Sequence, residues 1–178
     1  SAASDVYKRQ IRDTSTSHER CSIIEVMGRN AGHIALWCGI ANGAEDILLP
    51  GKYDYDLKKL IEKIIDNKRR GKKHYIIVNA EGIGHSAEMA AEIEKATGIE
   101  TRATILGHMQ RGGSPSCKDR VYASMMGSYA ADLLCDGKSN RVVAYKDGKF
   151  VDYDIDEALA MKKDINEYEF NISALLSK

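Results

Sequence analysis

Four side chains that could do chemistry each follow closely after a short apolar segment of the sequence. They are Arg29, Glu81, His108 and Arg111. Arginine binds phosphate through bidentate, charge-assisted hydrogen bonds, and a carboxylate accepts hydrogen bonds from hydroxyl groups. If the apolar segments are parallel strands, their carboxyl ends meet in one crevice. The four groups then predict a site for a phosphorylated polyol, although each of them alone would be interpreted as a solvated charge.

The segment A-T-I-L-G-H-M-Q-R-G-G-S-P, residues 103–115, admits three interpretations. The three interpretations are an ordinary strand end and turn, a glycine loop that binds a nucleotide, and a site for another anion. A competing nucleotide signal is the G-x-G-x-x-A match at Gly82, Gly84 and Ala87, which lies between a strand and a helix. A pyrophosphate bound there would lie beside the Glu81 carboxylate, which disfavours the dinucleotide hypothesis. The three interpretations of residues 103–115 stay open at this point.

A basic segment, K-R-R-G-K-K-H at residues 68–74, precedes an apolar segment instead of following one. Its simplest interpretation is a solvated helix end. Because it lies at the amino end of the predicted strand that Glu81 follows, an anion bound there would occupy a second site across the sheet. A third polar segment, residues 12–20, is equally well interpreted as a surface turn. Only His108 and Glu81 are candidates for a catalytic base.

Strand-like and helix-like segments alternate at short intervals, which predicts an α/β fold: a parallel sheet with helices on both faces, a Rossmann-like three-layer sandwich. The clearest helix has apolar residues at i, i+3, i+4, i+7 and i+8 from Leu57, with Asp54 or Asp56 as its cap. The predicted strands are residues 21–27, 46–50, 74–80 and 101–106. The predicted helices are residues 31–41, 57–70, 86–97, 118–135 and 156–161, with a hairpin at 141–154.

The 178 residues are 43% hydrophobic and 29% charged, with a formal net charge of zero. This composition indicates a globular protein with no bias toward nucleic acid or a membrane. The four cysteines form no C-x-x-C pair, which favours free thiols and a cytoplasmic protein.

Four longer motifs carry a resemblance to one family. They are R-D-T-S-T-S-H-E-R (12–20), E-V-M-G-R-N-A-G (25–32), G-K-K-H (71–74) followed by a strand and Glu81, and E-T-R-A-T-I-L-G-H-M-Q-R-G-G-S-P (100–115). In this order they resemble the bacterial ATP-dependent 6-phosphofructokinases, from about Ile11 to nearly the C-terminus. The resemblance implies a phosphofructokinase-like fold and phosphoryl transfer from ATP, with Mg²⁺, to fructose 6-phosphate, giving fructose 1,6-bisphosphate and ADP.

The resemblance also implies individual roles. The substrate-binding residues would be Arg20, Met27, Gly28, Arg29, Glu81, Arg102, His108, Met109, Gln110 and Arg111. Arg29 would also stabilise the transition state, and Arg20 and Arg102 would reach the 6-phosphate of a neighbouring subunit in a homotetramer. An effector site for ADP or phosphoenolpyruvate would comprise Arg12, Gly43, Ala44, Glu45, Arg70, Lys72, Lys73 and His74, with Glu45 near the effector's magnesium ion.

The family's ATP-binding glycine loop and catalytic aspartate would precede the residues present here. We therefore expect residues 1–10 to be a non-native leader, 11–109 a sugar-phosphate domain, 110–163 the C-terminal part of a nucleotide domain whose N-terminal half is missing, and 164–178 a tail that returns to the first domain. On this hypothesis the isolated chain is inactive. The alternatives are a pyrophosphate-dependent enzyme and a non-catalytic module that binds sugar phosphates or nucleotides.

Overall fold

The structure is a computed structural model that describes residues 20–51, 56–162 and 164–176. The strands are β1 (Arg20–Val26), β2 (Asp46–Leu48), β3 (His74–Ala80), β4 (Glu100–Ile105), β5 (Arg141–Lys146) and β6 (Lys149–Asp154). The helices are α1 (His33–Ala41), α2 (Leu57–Arg69), α3 (Ser86–Thr97), α4 (Cys117–Cys135), α5 (Ile155–Ala160) and α6 (Glu167–Leu176), with a 3₁₀ helix at Gly107–Arg111. Within these described ranges, no helix has the length and apolar character needed to cross a membrane.

The first four strands form one parallel sheet in the order β2-β3-β1-β4. β1 is central, with Arg20 opposite His74 of β3 on one side and opposite Glu100 of β4 on the other. The carboxyl ends of β3, β1 and β4 are therefore neighbours at one edge of the sheet. This arrangement confirms the predicted parallel α/β architecture.

Side chains of the sheet alternate between two apolar clusters, one on each face. On one face Cys21, Ile23 and Tyr75 pack against α2 and α3, and on the other Ile24 and Val78 pack against α1. Both central strands are buried on both faces, as expected for a parallel sheet covered by helices. The predicted three-layer arrangement is confirmed.

The helix boundaries follow local signals in the sequence. Asp56 caps α2 by accepting hydrogen bonds from the amides of Lys58 and Lys59, and Gly98 ends α3 in the left-handed conformation, with φ 66°. The prediction that α1 begins at residue 31 was wrong by two residues, because Gly32 turns the chain with φ 70° before the helix starts.

Three of the predicted strands differ at their ends from the observed ones. β1 is shifted one residue toward the N-terminus of its predicted range, 21–27. β2 ends at Leu48, two residues before the predicted end at Pro50, and Pro50 has no amide hydrogen to donate to a ladder. β4 is shifted one residue toward the N-terminus of its predicted range, because the chain turns into the 3₁₀ helix directly after Leu106.

The described residues fall into two compact units, which divide after Gly113 and again before Asp164. The second unit contains α4, the β5–β6 hairpin and α5. A capping box between Ser116 and Asp119 starts α4. The predicted hairpin is confirmed, and Asp147 and Gly148 turn it with φ 51° and 83°.

Candidate functional site

An open cleft of about 710 Å³ lies in the first unit, at the carboxyl ends of β1 and β3. Its lining residues are Met27, Gly28, Arg29, Asn30, Ala31, Glu81 and Arg111. Three of the four side chains singled out in the sequence, Arg29, Glu81 and Arg111, are therefore in one cleft. Each follows a different strand, and β1, which precedes Arg29, is the central one of the three.

Glu81 holds the turn that carries Arg29. Its Oε1 accepts a hydrogen bond from the Gly28 amide at 3.0 Å and a second one from the Arg29 amide. Arg29 adopts the left-handed conformation, with φ 47°, which is uncommon for a residue other than glycine. One carboxylate oxygen thus fixes two consecutive amides and offsets the strain of this turn.

Charge in the cleft favours anions. The amides of Arg29 and Gly28, together with the guanidinium charges of Arg29 and Arg111, hold the pKa of Glu81 below its ordinary value of 4.5. Glu81 is therefore ionised at neutral pH. Two guanidinium groups then face one carboxylate, which leaves a positive excess for a phosphate dianion.

Gly82 packs directly against the Arg29 turn. A Cβ atom at this position would lie 2.6 Å from the main-chain oxygen of Arg29 and 2.9 Å from Oδ1 of Asn30. The first glycine of the G-x-G-x-x-A match is thus required by the contact of two loops. This contact, and the ionised Glu81 beside it, leave the dinucleotide hypothesis without structural support.

The 3₁₀ helix places its residues differently from one another. His108 and Met109 are exposed on its surface and are not among the residues that line the cleft. Gln110 is only 9% exposed, and its Oε1 accepts a hydrogen bond from the Met27 amide at 2.7 Å. The substrate-binding roles of these three residues remain predictions.

Arg20 and Arg102 lie toward the other end of the sheet, where both bind the carboxylate of Glu100. The Arg20 Nε donates to Oε2 at 2.8 Å, and the Arg102 Nη2 lies 2.7 Å from Oε1. The hydrogen bond from Arg20, followed by that from Arg102, lowers the pKa of Glu100. Arg20 begins β1 and is about 20 Å from the strand's carboxyl end, so the structure does not bring these two arginines to the cleft.

The predicted effector residues lie at the amino end of the sheet, except for Arg12, which is outside the described residues. They are Gly43, Ala44, Glu45, Arg70, Lys72, Lys73 and His74. Gly43–Glu45 precede β2, and Arg70–Lys73 precede β3, so the two groups approach the same edge. The prediction that this cluster and Glu81 occupy opposite ends of β3 is confirmed.

Glu45 is buried and already has partners for both carboxylate oxygens. Oε2 accepts from the Ile76 amide, and Oε1 lies 3.2 Å from the Lys72 ammonium. A magnesium ion would have to compete with both, so Glu45 fits that role poorly in this conformation. Over the described ranges, no group of three or more His, Cys, Asp or Glu side chains could hold a metal ion. The role of Glu45 at an effector's magnesium remains a prediction.

Sequence reasoning missed three participants. Asn30 and Ala31 line the cleft because the turn after β1 continues to Gly32 before α1 begins. Glu100 is the shared acceptor of two arginines. The alternation of E-T-R could have indicated this last contact, since Glu100 and Arg102 share one face of β4.

The chain is similar to known phosphofructokinases. A family model described as phosphofructokinase matches residues 3–134. The ATP-dependent 6-phosphofructokinases of Clostridium botulinum (strain Hall) and Clostridium acetobutylicum are each 54% identical to it over 169 residues, which cover 95% of this chain and 53% of each relative. The chain thus spans about half the length of these curated relatives.

Two solved structures agree with the fold. The phosphofructokinase from Saccharomyces cerevisiae matches 98% of this chain and 24% of its own, with a TM-score of 0.78 and 25% identity. A pyrophosphate-dependent phosphofructokinase from Marinobacter aquaeolei matches 93% of this chain and 48% of its own, with a TM-score of 0.71 and 19% identity. The second likeness is one of fold alone.

Proposed function

The chain belongs to the phosphofructokinase family, and we propose that it carries the sugar-phosphate side of an ATP-dependent 6-phosphofructokinase. The whole protein would transfer a phosphoryl group from ATP to fructose 6-phosphate, giving fructose 1,6-bisphosphate and ADP in glycolysis. The observation that carries this proposal is the cleft in which Arg29 and Arg111 face an ionised Glu81.

Each group in the cleft has a task in this proposal. Oε1 of Glu81 already accepts two amides, so Oε2 is the oxygen that accepts from a sugar hydroxyl. Arg111 binds phosphate through its fork of N–H donors. Arg29 lies beside Glu81 and stabilises negative charge that develops on the transferred group. Phosphoryl transfer depends on such positioning and charge stabilisation more than on covalent chemistry by the protein.

The phosphoryl donor is assigned from the relatives. Those at 54% identity are named ATP-dependent, whereas the pyrophosphate-dependent structure is only 19% identical. ATP therefore has more support than pyrophosphate. Magnesium would neutralise the donor's phosphate charge when bound. Comparing ATP with pyrophosphate as donor in the longer protein that contains this chain tests the assignment.

Arg20 and Arg102 enter the proposal as residues of a shared site in a homotetramer. Because they lie away from the cleft of their own chain, we infer that the sugar phosphate they bind is held in the cleft of another copy. The basic residues Arg70, Lys72, Lys73 and His74 would bind an effector, ADP or phosphoenolpyruvate, at the opposite end of the sheet from Glu81. We also expect a cytoplasmic location, in line with the four free cysteines.

Isothermal titration calorimetry of this chain with fructose 6-phosphate tests the central claim. We expect binding that Arg111→Ala weakens at least tenfold, because one of two guanidinium groups is lost. Arg120→Ala, which removes an exposed arginine from α4 in the second unit, is the matched control and should bind like the wild type. Binding of NAD without any binding of sugar phosphate would contradict the proposal, as would equal affinities in the two variants.

A further inference from the structure

We propose that Gln110 is a positioning residue. Its side-chain oxygen accepts the hydrogen bond from β1 that a further residue of β4 would have accepted, and this bond fixes the Arg29 turn relative to Arg111. This inference rests on the proposed function of the cleft and refines it. It assigns Gln110 an internal role, in place of the direct substrate contact that the family resemblance implies.

The hydrogen bonds of β1 define which partner the Met27 amide needs. In a parallel strand, the N–H and C=O of one residue point to the same neighbour, and alternate residues point to the same side. The Leu106 amide donates to the Glu25 oxygen at 3.1 Å, so Glu25 faces β4. The Glu81 amide donates to the Val26 oxygen at 3.0 Å, so Val26 faces β3. The Met27 amide therefore points toward β4.

β4 has already ended at this level. Its last residue is Ile105, and after Leu106 the chain turns into the 3₁₀ helix. Oε1 of Gln110 lies 2.7 Å from the Met27 nitrogen and takes the place of the next strand carbonyl. With 9% of its surface exposed, Gln110 is held inside the protein and is not among the residues that line the cleft.

The consequence reaches the charged groups. Met27, Gly28 and Arg29 are consecutive, and their three amides donate to the side chains of Gln110 and Glu81. Gln110 is also the residue before Arg111. The adjacent residues Gln110 and Arg111 thus act together: Arg111 supplies one guanidinium to the cleft, and Gln110 holds the turn that carries the other, Arg29.

Two substitutions separate this role from others. Gln110→Met keeps the length of the side chain and removes the acceptor, whereas Gln110→Glu keeps an acceptor oxygen. In the ligand-free chain, we expect the Met27 amide to exchange with solvent at least tenfold faster in Gln110→Met, while Gln110→Glu retains protection, as measured by NMR. Unchanged exchange in Gln110→Met would overturn the proposal.

A double-mutant cycle on fructose 6-phosphate affinity tests the link to Arg29. Gln110→Met should weaken binding about tenfold in the wild-type background. In an Arg29→Lys background, which keeps the charge and loses the fork, the same change should cost much less, because the group it positions is gone. Additive effects would indicate direct contact with the ligand, and a lowered melting temperature with unchanged affinity would indicate a purely structural role. Either result overturns the proposal. If the wild type binds no sugar phosphate, the proposed function fails, and the exchange experiment still decides whether Gln110 holds the turn.

Discussion

Gly82→Ala should damage the first unit of the chain and its cleft together. The added Cβ would lie 2.6 Å from the Arg29 oxygen, about 0.8 Å short of the 3.4 Å at which ordinary contact begins. The atom that it meets is main chain and has no rotamer to change. Gly82 is not among the glycines with positive φ, so backbone strain does not add to the effect. The turn that carries Arg29 must therefore move.

Overpacking of this kind costs about 1–3 kcal/mol. For a chain of this size, that corresponds to a melting temperature lower by about 2–12 °C. Trp37, the only tryptophan, lies in α1 of the same unit as Gly82, so its fluorescence during urea unfolding reports on the affected unit. Displacement of Arg29 by a large fraction of an ångström should also weaken fructose 6-phosphate binding by about tenfold or more.

Gly112→Ala is the matched control beside the same cleft. Its φ is −91°, and an added Cβ would lie 3.6 Å from the Met109 oxygen, which is ordinary contact. We expect this variant to be as stable as the wild type or slightly more stable, because alanine restricts the unfolded chain. If Gly82→Ala matches Gly112→Ala in both its unfolding midpoint and its affinity, the close approach of the two loops does not determine the site.

Three further predictions concern single groups. Glu81 has a lowered pKa, so the unfolded state binds more protons than the folded state below pH 4.5. The stabilising effect of Glu81 should therefore be complete above that pH and decline as the pH falls. The urea midpoints of wild type and Glu81→Gln should converge between pH 6 and pH 3. Burial, aided by the nearby Glu45 carboxylate, raises the pKa of Cys21 to about 12. Iodoacetamide should therefore alkylate the exposed Cys117 in the native chain and Cys21 only after denaturation, as measured by mass spectrometry. Labelling of Cys21 in the native chain would contradict its burial. Ser116→Ala removes the α4 cap and should lower the free energy of unfolding by about 0.5–2 kcal/mol, as measured by circular dichroism in urea. Ser128→Ala, at an exposed position of the same helix, should lower it less. Equal losses in the two variants would count against the cap.

The fold could be predicted from the sequence wherever the hydrophobic periodicity agreed with the residues that start and end helices and strands. The bounds of β3 and α3 match their predictions, because an unbroken apolar run and a helix ended by Gly98 leave few alternatives. The 3₁₀ helix at Gly107–Arg111 could not be predicted. Its residues carry no apolar period, and their conformation depends on the main chain turning away after Leu106.

The charged residues of the site were predicted, whereas the residues that hold them in place were not. Arg29, Glu81 and Arg111 could be identified because charged groups at strand ends converge in a parallel sheet. The bond from the Met27 amide to Gln110 joins residues 83 positions apart. A glutamine at such a distance carries no local signal, since its partner is a main-chain group that every residue but proline possesses.

The central place of β1 in the sheet has a consequence for biosynthesis. β1 is made before both of its neighbours, and Ile105, the last residue of β4, follows Val26, the last residue of β1, by 79 positions. At translation rates of about 5–20 residues per second, β1 therefore waits about 4–16 s for the last of its neighbours to emerge. β3 emerges within this interval, and until it does β1 has no strand beside it. The side chains of Ile23 and Ile24, which are buried in the folded sheet, are then exposed and available to a chaperone on the ribosome.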